Sequence, residues 1–181
     1  LALGENGMSK IILIRHGQAN YECLRSRKFP VVCAGLAPLS TKGINQSMAV
    51  ANDERLNDAE LIVSSPYTRA LQTAAIISNM KGLKINVEFD LHEWLPDISF
   101  KIEDESQFYT ALHSFRENDG LYNGQVFLWE QISDIKKRVL GCLSQYSNYR
   151  KIIMVTHGEV IYCLTGQKGT ENCGIAEIEL P

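Results

Sequence analysis

The sequence predicts an α/β fold, a three-layer sandwich whose mostly parallel central sheet is covered by helices on both faces. Two features lead there. Several short apolar runs, such as Lys10–Ile14 and Lys151–Thr156, lack the alternation of a half-exposed strand and read as strands buried on both sides. Segments of helical periodicity stand between such runs, the order expected of βαβ units. With 181 residues, 45% of them hydrophobic, the chain is large enough to build a core without disulfide or metal staples.

The elements follow in order. Lys10–Ile14 is the first strand. Ser40 or Thr41 caps a helix running towards Arg55. Glu60–Ser64 is a second strand, closed by Ser65-Pro66, which reads as N-cap and first helical residue of a helix reaching about Met80. Ala70, Leu71, Ala74 and Ile77 are its expected buried face. Lys84–Phe89 alternates as a strand. Leu91–Gly124 is expected to hold a loop, a short helix near Asp104–Phe115 and a second loop. Gln125–Tyr146 reads as one long helix, with Phe127, Ile132, Ile135, Val139 and Leu143 at helical intervals. Lys151–Thr156 is a strand, His157–Leu164 a short helix and Gly174–Leu180 a closing strand. No repeat, low-complexity tract or linker divides residues 8–181, which are expected to form one domain. Residues 1–7 read as a flexible or cloning-derived tail ahead of a candidate initiator, Met8.

Composition excludes several classes. The formal net charge is −3, which argues against a general nucleic-acid or membrane binder. No apolar run approaches a membrane span, and the first residues lack the pattern of a signal peptide. Cys23, Cys33, Cys142, Cys163 and Cys173 form no C-x-x-C pair and are odd in number, so they read as free thiols of a reducing, cytoplasmic compartment.

One internal similarity points to chemistry. Lys10–Gly17 and Lys151–Gly158 match in register for eight residues, and each ends in His-Gly, His16-Gly17 and His157-Gly158. Such a pair suggests two strands of one sheet, each delivering an imidazole at its carboxyl end, where open α/β sheets bind ligands. Glycine permits close backbone approach, and a helix starting at Gly158 would offer free N–H groups to an anion. Arg15 sits at the tip of a buried strand, where a guanidinium needs either an internal carboxylate or an anionic ligand. Arg69 falls in the first turn of a helix, where a cation opposes the helix dipole unless an anion docks there too, although a solvated surface position is the simpler alternative. Two arginines and two histidines make a basic pocket in an acidic protein, suited to a phosphoryl group. Either His16 or His157 could attack phosphorus.

These residues carry a family resemblance. Ile14-Arg15-His16-Gly17, Ser64 through Ala74, Leu91-His92-Glu93-Trp94 and Thr156-His157-Gly158 resemble, in order, the motifs of the histidine phosphatase superfamily, the phosphoglycerate-mutase-like group. The resemblance implies a metal-independent phosphomonoester hydrolase that needs no cofactor. In it His16 becomes phosphohistidine and Arg15 and Arg69 bind the phosphoryl oxygens. His157 stabilises the transferred group, and Glu93 is the acid for the leaving oxygen. His92 is a competing acid. Gly17, Asn20 and Gly158 are expected to join Arg15, Arg69 and His157 in binding phosphate. Trp94 and Leu95 would partly desolvate Glu93 and raise its pKa.

The segment after Gly17 departs from the family pattern, reading Gln18 to Arg25 with Asn20 at an unusual spacing. Arg25, Arg27 and Lys28 face either a charged substrate or solvent. A lid is expected at about residues 95–124, and specificity is expected to come from 18–37 and 96–123. The region between Glu93 and His157 is shorter than in the glycolytic mutases, which favours hydrolysis. A mutase and a non-catalytic phosphoryl-binding module are the alternatives. A small phosphorylated metabolite or a phosphoprotein fits as partner, and oligomeric state is unreadable.

Overall fold

Five strands line up in the order β3-β2-β4-β1-β5: β1 (Ser9–Arg15), β2 (Leu61–Ser64), β3 (Ile85–Val87), β4 (Lys151–Thr156) and β5 (Ile175–Leu180). The computed structural model describes residues 8–180, so the expected tail at 1–7 lies outside the described residues. Four of the strands are parallel, and β5 runs antiparallel to β1 at one edge. The matched sequences of β1 and β4 are direct neighbours. Lys10 pairs with Lys151, and the same 141-residue offset continues to Arg15 opposite Thr156. Similarity along the chain is thus the pairing register, and it sets the two His-Gly pairs side by side.

Alternation along these strands divides the core. Ile11 and Leu13 join Leu61, Val63, Ile152 and Met154 under Trp94, Phe115, Trp129, Ile135 and Val139 on one face. Ile12, Ile14, Ile62, Ile153 and Val155 pack beneath Val50, Leu56, Ala70, Ala74 and Ile77 on the other. A strand with both faces covered has no position left for polar side chains, which is why these runs are apolar without interruption. The helices are α1 (Glu22–Arg25), α2 (Thr41–Val50), α3 (Thr68–Lys81), α4 (Glu105–Glu117), α5 (Ile132–Leu143) and α6 (Gly158–Thr165). Ser40 caps α2, its Oγ accepting from Gly43 N at 3.0 Å. Gly82 ends α3 in the left-handed conformation.

Three expectations need correction. Ser65 and Pro66 do not open α3. The helix starts at Thr68 with Tyr67 at its N-cap, because Ser65 continues β2, its N–H donating to Val155 O at 2.9 Å. On α3, Leu71 is only partly buried, while Arg69 and Thr73 are buried with Ala70, Ala74 and Ile77. Finally, α5 begins at Ile132 rather than Gln125. The chain bends at 126–127, and residues 128–131 then run beside 95–98, with Ile98 N donating to Leu128 O at 2.8 Å and Glu130 N to Leu95 O at 3.0 Å. That pairing buries Trp129 and Glu130, and the buried carboxylate of Glu130 is taken up by Arg138.

Candidate active site

The carboxyl ends of β1 and β4 carry His16 and His157, both buried, with ring centroids 5.1 Å apart. His16 Nδ1 lies 2.7 Å from the carbonyl oxygen of Gly17. A carbonyl only accepts, so Nδ1 carries the proton and Nε2 holds the lone pair. Arg69 Nε donates to that Nε2 at 2.9 Å. Burial, Arg69 and Arg15 hold His16 down at about 3, against a smaller upward pull from the Gly17 carbonyl. His16 is therefore a neutral imidazole at neutral pH, in the state that attacks an electrophile.

His157 has the opposite tautomer. Arg69 Nη2 donates to its Nδ1 at 3.3 Å, which leaves the proton on Nε2, 2.7 Å from Ser65 Oγ. Its pKa lies well below the ordinary value, first through burial and then through Arg69, His16, His92 and Arg138. One guanidinium thus bridges the lone pairs of two neutral imidazoles. Its third nitrogen, Nη1, donates to Ala34 O at 3.0 Å, and the Tyr67 and Tyr21 rings flank it at 5.1 and 5.8 Å.

Arg15 reaches past Gly158 to Thr170, Nη1 donating to the carbonyl at 2.6 Å, while its buried Nε has no partner. Among the described residues neither Arg15 nor Arg69 forms an ion pair with a carboxylate. Arg69 is only 4% exposed, so an uncompensated guanidinium there is costly unless an anion completes it. Neither the internal salt bridge considered for Arg15 nor the solvated surface considered for Arg69 is present.

Glu93 follows the short 3₁₀ turn Phe89–Leu91 that continues from β3, and that turn is fixed to the end of β4 by Thr156 Oγ1 donating to Leu91 O at 3.1 Å. The Glu93 carboxylate accepts from Trp94 N at 2.9 Å. Burial raises its pKa to about 7, opposed by that N–H and by the charges of Arg69 and Arg15, and assisted by Glu159. The expected desolvation of Glu93 thus takes place, with the arginines close enough to act on it. His92 donates from Nδ1 to Glu93 O at 2.7 Å, and its ring lies 5.1 Å from Phe89 and 6.4 Å from Tyr67, which is itself 5.1 Å from His157.

The smaller expected contacts divide. Gly17 N donates to Thr73 Oγ1 at 3.1 Å and is spent there rather than on a ligand. Glycine is needed for another reason, since a Cβ would stand 2.5 Å from Gly43 O. Gly158 opens α6, with the Arg15 guanidinium 3.5–3.6 Å from where its Cβ would be. Asn20 Oδ1 accepts from Cys23 N at 3.3 Å, so half of its amide supports the start of α1. Arg25 pairs with Glu105 of α4 at 2.7 Å, and Arg27 and Lys28 are exposed.

Sequence reasoning missed Ser65 as the partner of His157, having read it as a cap. It also missed the turn before β5, where Asn172 Nδ2 donates to His16 O at 3.0 Å and Cys173 N to Arg15 O at 2.9 Å. No local pattern announces such a turn. Among the described residues no three His, Cys, Asp or Glu side chains converge to hold a metal ion, and no helix is long and apolar enough to cross a membrane.

Comparison with known proteins agrees with this geometry. A "Putative phosphoserine phosphatase 2" of Hydrogenobacter thermophilus is 28% identical, covering 96% of this chain and 90% of its own. A "Probable phosphoglycerate mutase GpmB" of Salmonella typhi is 25% identical over 87% of this chain and 73% of its own. The structure of a mycobacterial glucosyl-3-phosphoglycerate phosphatase superposes with a TM-score of 0.71 at 20% identity, over 95% of this chain and 90% of that one, a likeness of fold. A family model described as histidine phosphatase superfamily (branch 1) matches residues 11–171, and the chain belongs to that superfamily.

Proposed function

We propose that this chain hydrolyses phosphomonoesters through a phosphohistidine formed on His16. The observation that carries the proposal is the Arg69 guanidinium, buried without a carboxylate and donating to both imidazoles at 2.9 and 3.3 Å. An arriving phosphoryl group gives Arg69 oxygens in place of nitrogens, frees the lone pair of His16 Nε2 and supplies the missing counter-charge.

The His16 Nε2 lone pair then forms a bond to phosphorus as the bond from phosphorus to the leaving oxygen breaks. Glu93, protonated below its raised pKa of about 7, gives its proton to that oxygen and the alcohol departs. Arg15 and Arg69 carry the charge on the transferred oxygens. His157 turns Nδ1 towards Arg69, so it donates to a phosphoryl oxygen only after taking a proton there, and nearby phosphate charge favours that proton. In the second half a water attacks phosphorus, Glu93 takes its proton, and the bond to Nε2 breaks to release phosphate. Gly158 at the start of α6 offers its N–H to the same oxygens, whereas Asn20 and Gly17 have at most a supporting place.

A small phosphorylated metabolite is the proposed substrate class, in line with the named phosphatase relative. Residues 95–124 serve as the lid. Ion pairs from Arg25 to Glu105 and from Arg116 to Glu159 tie the two ends of α4 to the helices that follow His16 and His157. The name of the mutase relative favours a second reading, transfer of the phosphoryl group back to the same molecule. The test is to incubate the protein with phosphoserine, 3-phosphoglycerate and other small alkyl phosphates in EDTA. Release of inorganic phosphate is expected, unchanged by the chelator. An isomerised phosphoester without free phosphate would establish the mutase, and no turnover of any ester would leave a binding module.

A further inference from the structure

The turn that carries Glu93 is gripped from the lid side by a buried ion pair. Arg138 of α5 meets Glu130 through two contacts, Nε to Oε1 at 2.5 Å and Nη2 to Oε2 at 3.0 Å, with side chains only 12% and 9% exposed. Its remaining nitrogen, Nη1, donates to the carbonyl of Asp90, three residues before Glu93. Glu130 holds the other side. Its Oε2 accepts from Leu95 N at 3.4 Å, its carbonyl accepts from Trp94 Nε1 at 3.0 Å, and its N–H donates to Leu95 O at 3.0 Å. Asp90, Trp94 and Leu95 are therefore fixed by one pair, and Glu93 stands between them.

A buried ion pair is a poor device for stability alone, since apolar residues of similar size commonly do as well or better. Its value here is geometric. The planar fork of Arg138 commits all three of its nitrogens to one carboxylate and one carbonyl, so it sets the distance from α5 to the turn in a way that Lys cannot. We infer that Arg138 and Glu130 are positioning residues for the leaving-group acid, holding the Glu93 carboxyl where it can protonate the departing oxygen. The inference rests on the acid role given to Glu93 above.

Leaving-group dependence separates positioning from mere support. A loosened acid slows esters whose leaving oxygen needs a proton and spares those whose oxygen leaves unaided. Single-turnover phosphorylation is measured with an alkyl phosphate and with p-nitrophenyl phosphate in wild type, Arg138→Lys, Glu93→Gln and the double variant. Arg138→Lys is expected to slow the alkyl ester by about 10–100-fold, the scale of a small misplacement, and the aryl ester by less than about 3-fold. In the Glu93→Gln background it is expected to add nothing for the alkyl ester, because no acid remains to misplace. A second variant, Arg138→Met with Glu130→Leu, removes both charges and guards against misfolding through an unpaired buried carboxylate. It is expected to show the same alkyl-selective loss with a retained thermal unfolding midpoint. Equal losses for the two esters, or full additivity with Glu93→Gln, would overturn the positioning role while leaving Glu93 as acid. A Glu93→Gln variant that slows both esters equally would remove the acid assignment, and this inference with it.

Discussion

The ends of β1 and β4 are nearly the same sequence and do different things. Both strands are apolar, both end in His-Gly, and they pair residue for residue. Yet His16 carries its proton on Nδ1, fixed by the carbonyl of Gly17, and His157 carries its proton on Nε2, facing Ser65. The glycines differ as well. Gly17 lies against the backbone of α2 with no room for a side chain, whereas Gly158 has ordinary van der Waals space. What distinguishes the two imidazoles is thus the atom that fixes each tautomer, the carbonyl of the next residue for His16 and side chains from a distant segment, Arg69 and Ser65, for His157. A sequence can announce two equivalent imidazoles without saying which one attacks.

The largest expected difference between the two ends is catalytic. His16→Ala is expected to lower kcat by about 10⁴-fold or more, the scale of losing a nucleophile. His157→Ala is expected to lose about 10²–10³-fold, the scale of losing one stabilising donor. Steady-state phosphate release from one alkyl ester measures both, and equal losses would erase the distinction.

A second difference from wild type is thermodynamic. His16 has a folded pKa of about 3, below its unfolded value near 6.5. Its contribution is therefore intact above pH 6.5 and is lost as pH falls towards 3, because the unfolded chain binds a proton that the folded one refuses. By linkage the loss is on the order of 4 kcal/mol near pH 3.5. His16→Asn is expected to flatten the decline of urea stability between pH 6.5 and 3.5. Parallel declines in wild type and variant would contradict the burial of a neutral His16. Glu93 works in the other direction. Its folded pKa of about 7 lies above the ordinary carboxyl value of 4.5, so its stability contribution is present below 4.5 and lost as pH rises through 7. Glu93→Gln is therefore expected to be more stable than wild type at pH 8 and no more stable at pH 4, read by thermal unfolding midpoints at the two values.

The smallest effect expected is that of Ser65→Ala. It removes the acceptor of the His157 Nε2 proton, a neutral hydrogen bond worth about 0.5–1.5 kcal/mol, and a loss of about 2–10-fold in kcat follows. Imidazole nitrogen NMR shifts are expected to move at His157 Nε2 while Arg69 keeps the proton off His157 Nδ1 and His16 keeps its proton on Nδ1. A change at His16 instead would break the account of two separately fixed tautomers.

The legible part of the molecule is the part written in local pattern. Uninterrupted apolar runs gave the strands, and the offset between two of them gave the register of the sheet. Ser40 gave the cap of α2. Illegible parts depend on contacts made across the chain. Ser65-Pro66 has the local form of a helix start, but Ser65 N is held to β4 just past the end of β2, and its hydroxyl meets His157. The apolar spacing from Phe127 onward mimics a helix, but Glu130 is buried against Arg138 and Leu95, which requires an extended chain. Arg15 and Arg69 were suspicious by position alone, and what the structure adds is that neither has a carboxylate partner. Gly17 is expected to touch phosphate through its backbone and instead spends its N–H on Thr73, a residue of α3.

The central claim is that His16, and not its counterpart on β4, accepts the phosphoryl group. Rapid quenching of the protein with a ³²P-labelled alkyl phosphate at alkaline pH, followed by peptide mapping, tests it most directly. The account predicts acid-labile label on the peptide containing His16, retained in His157→Ala given time to accumulate and absent in His16→Ala. Label on His157, or acid-stable label on a serine or aspartate, would contradict it.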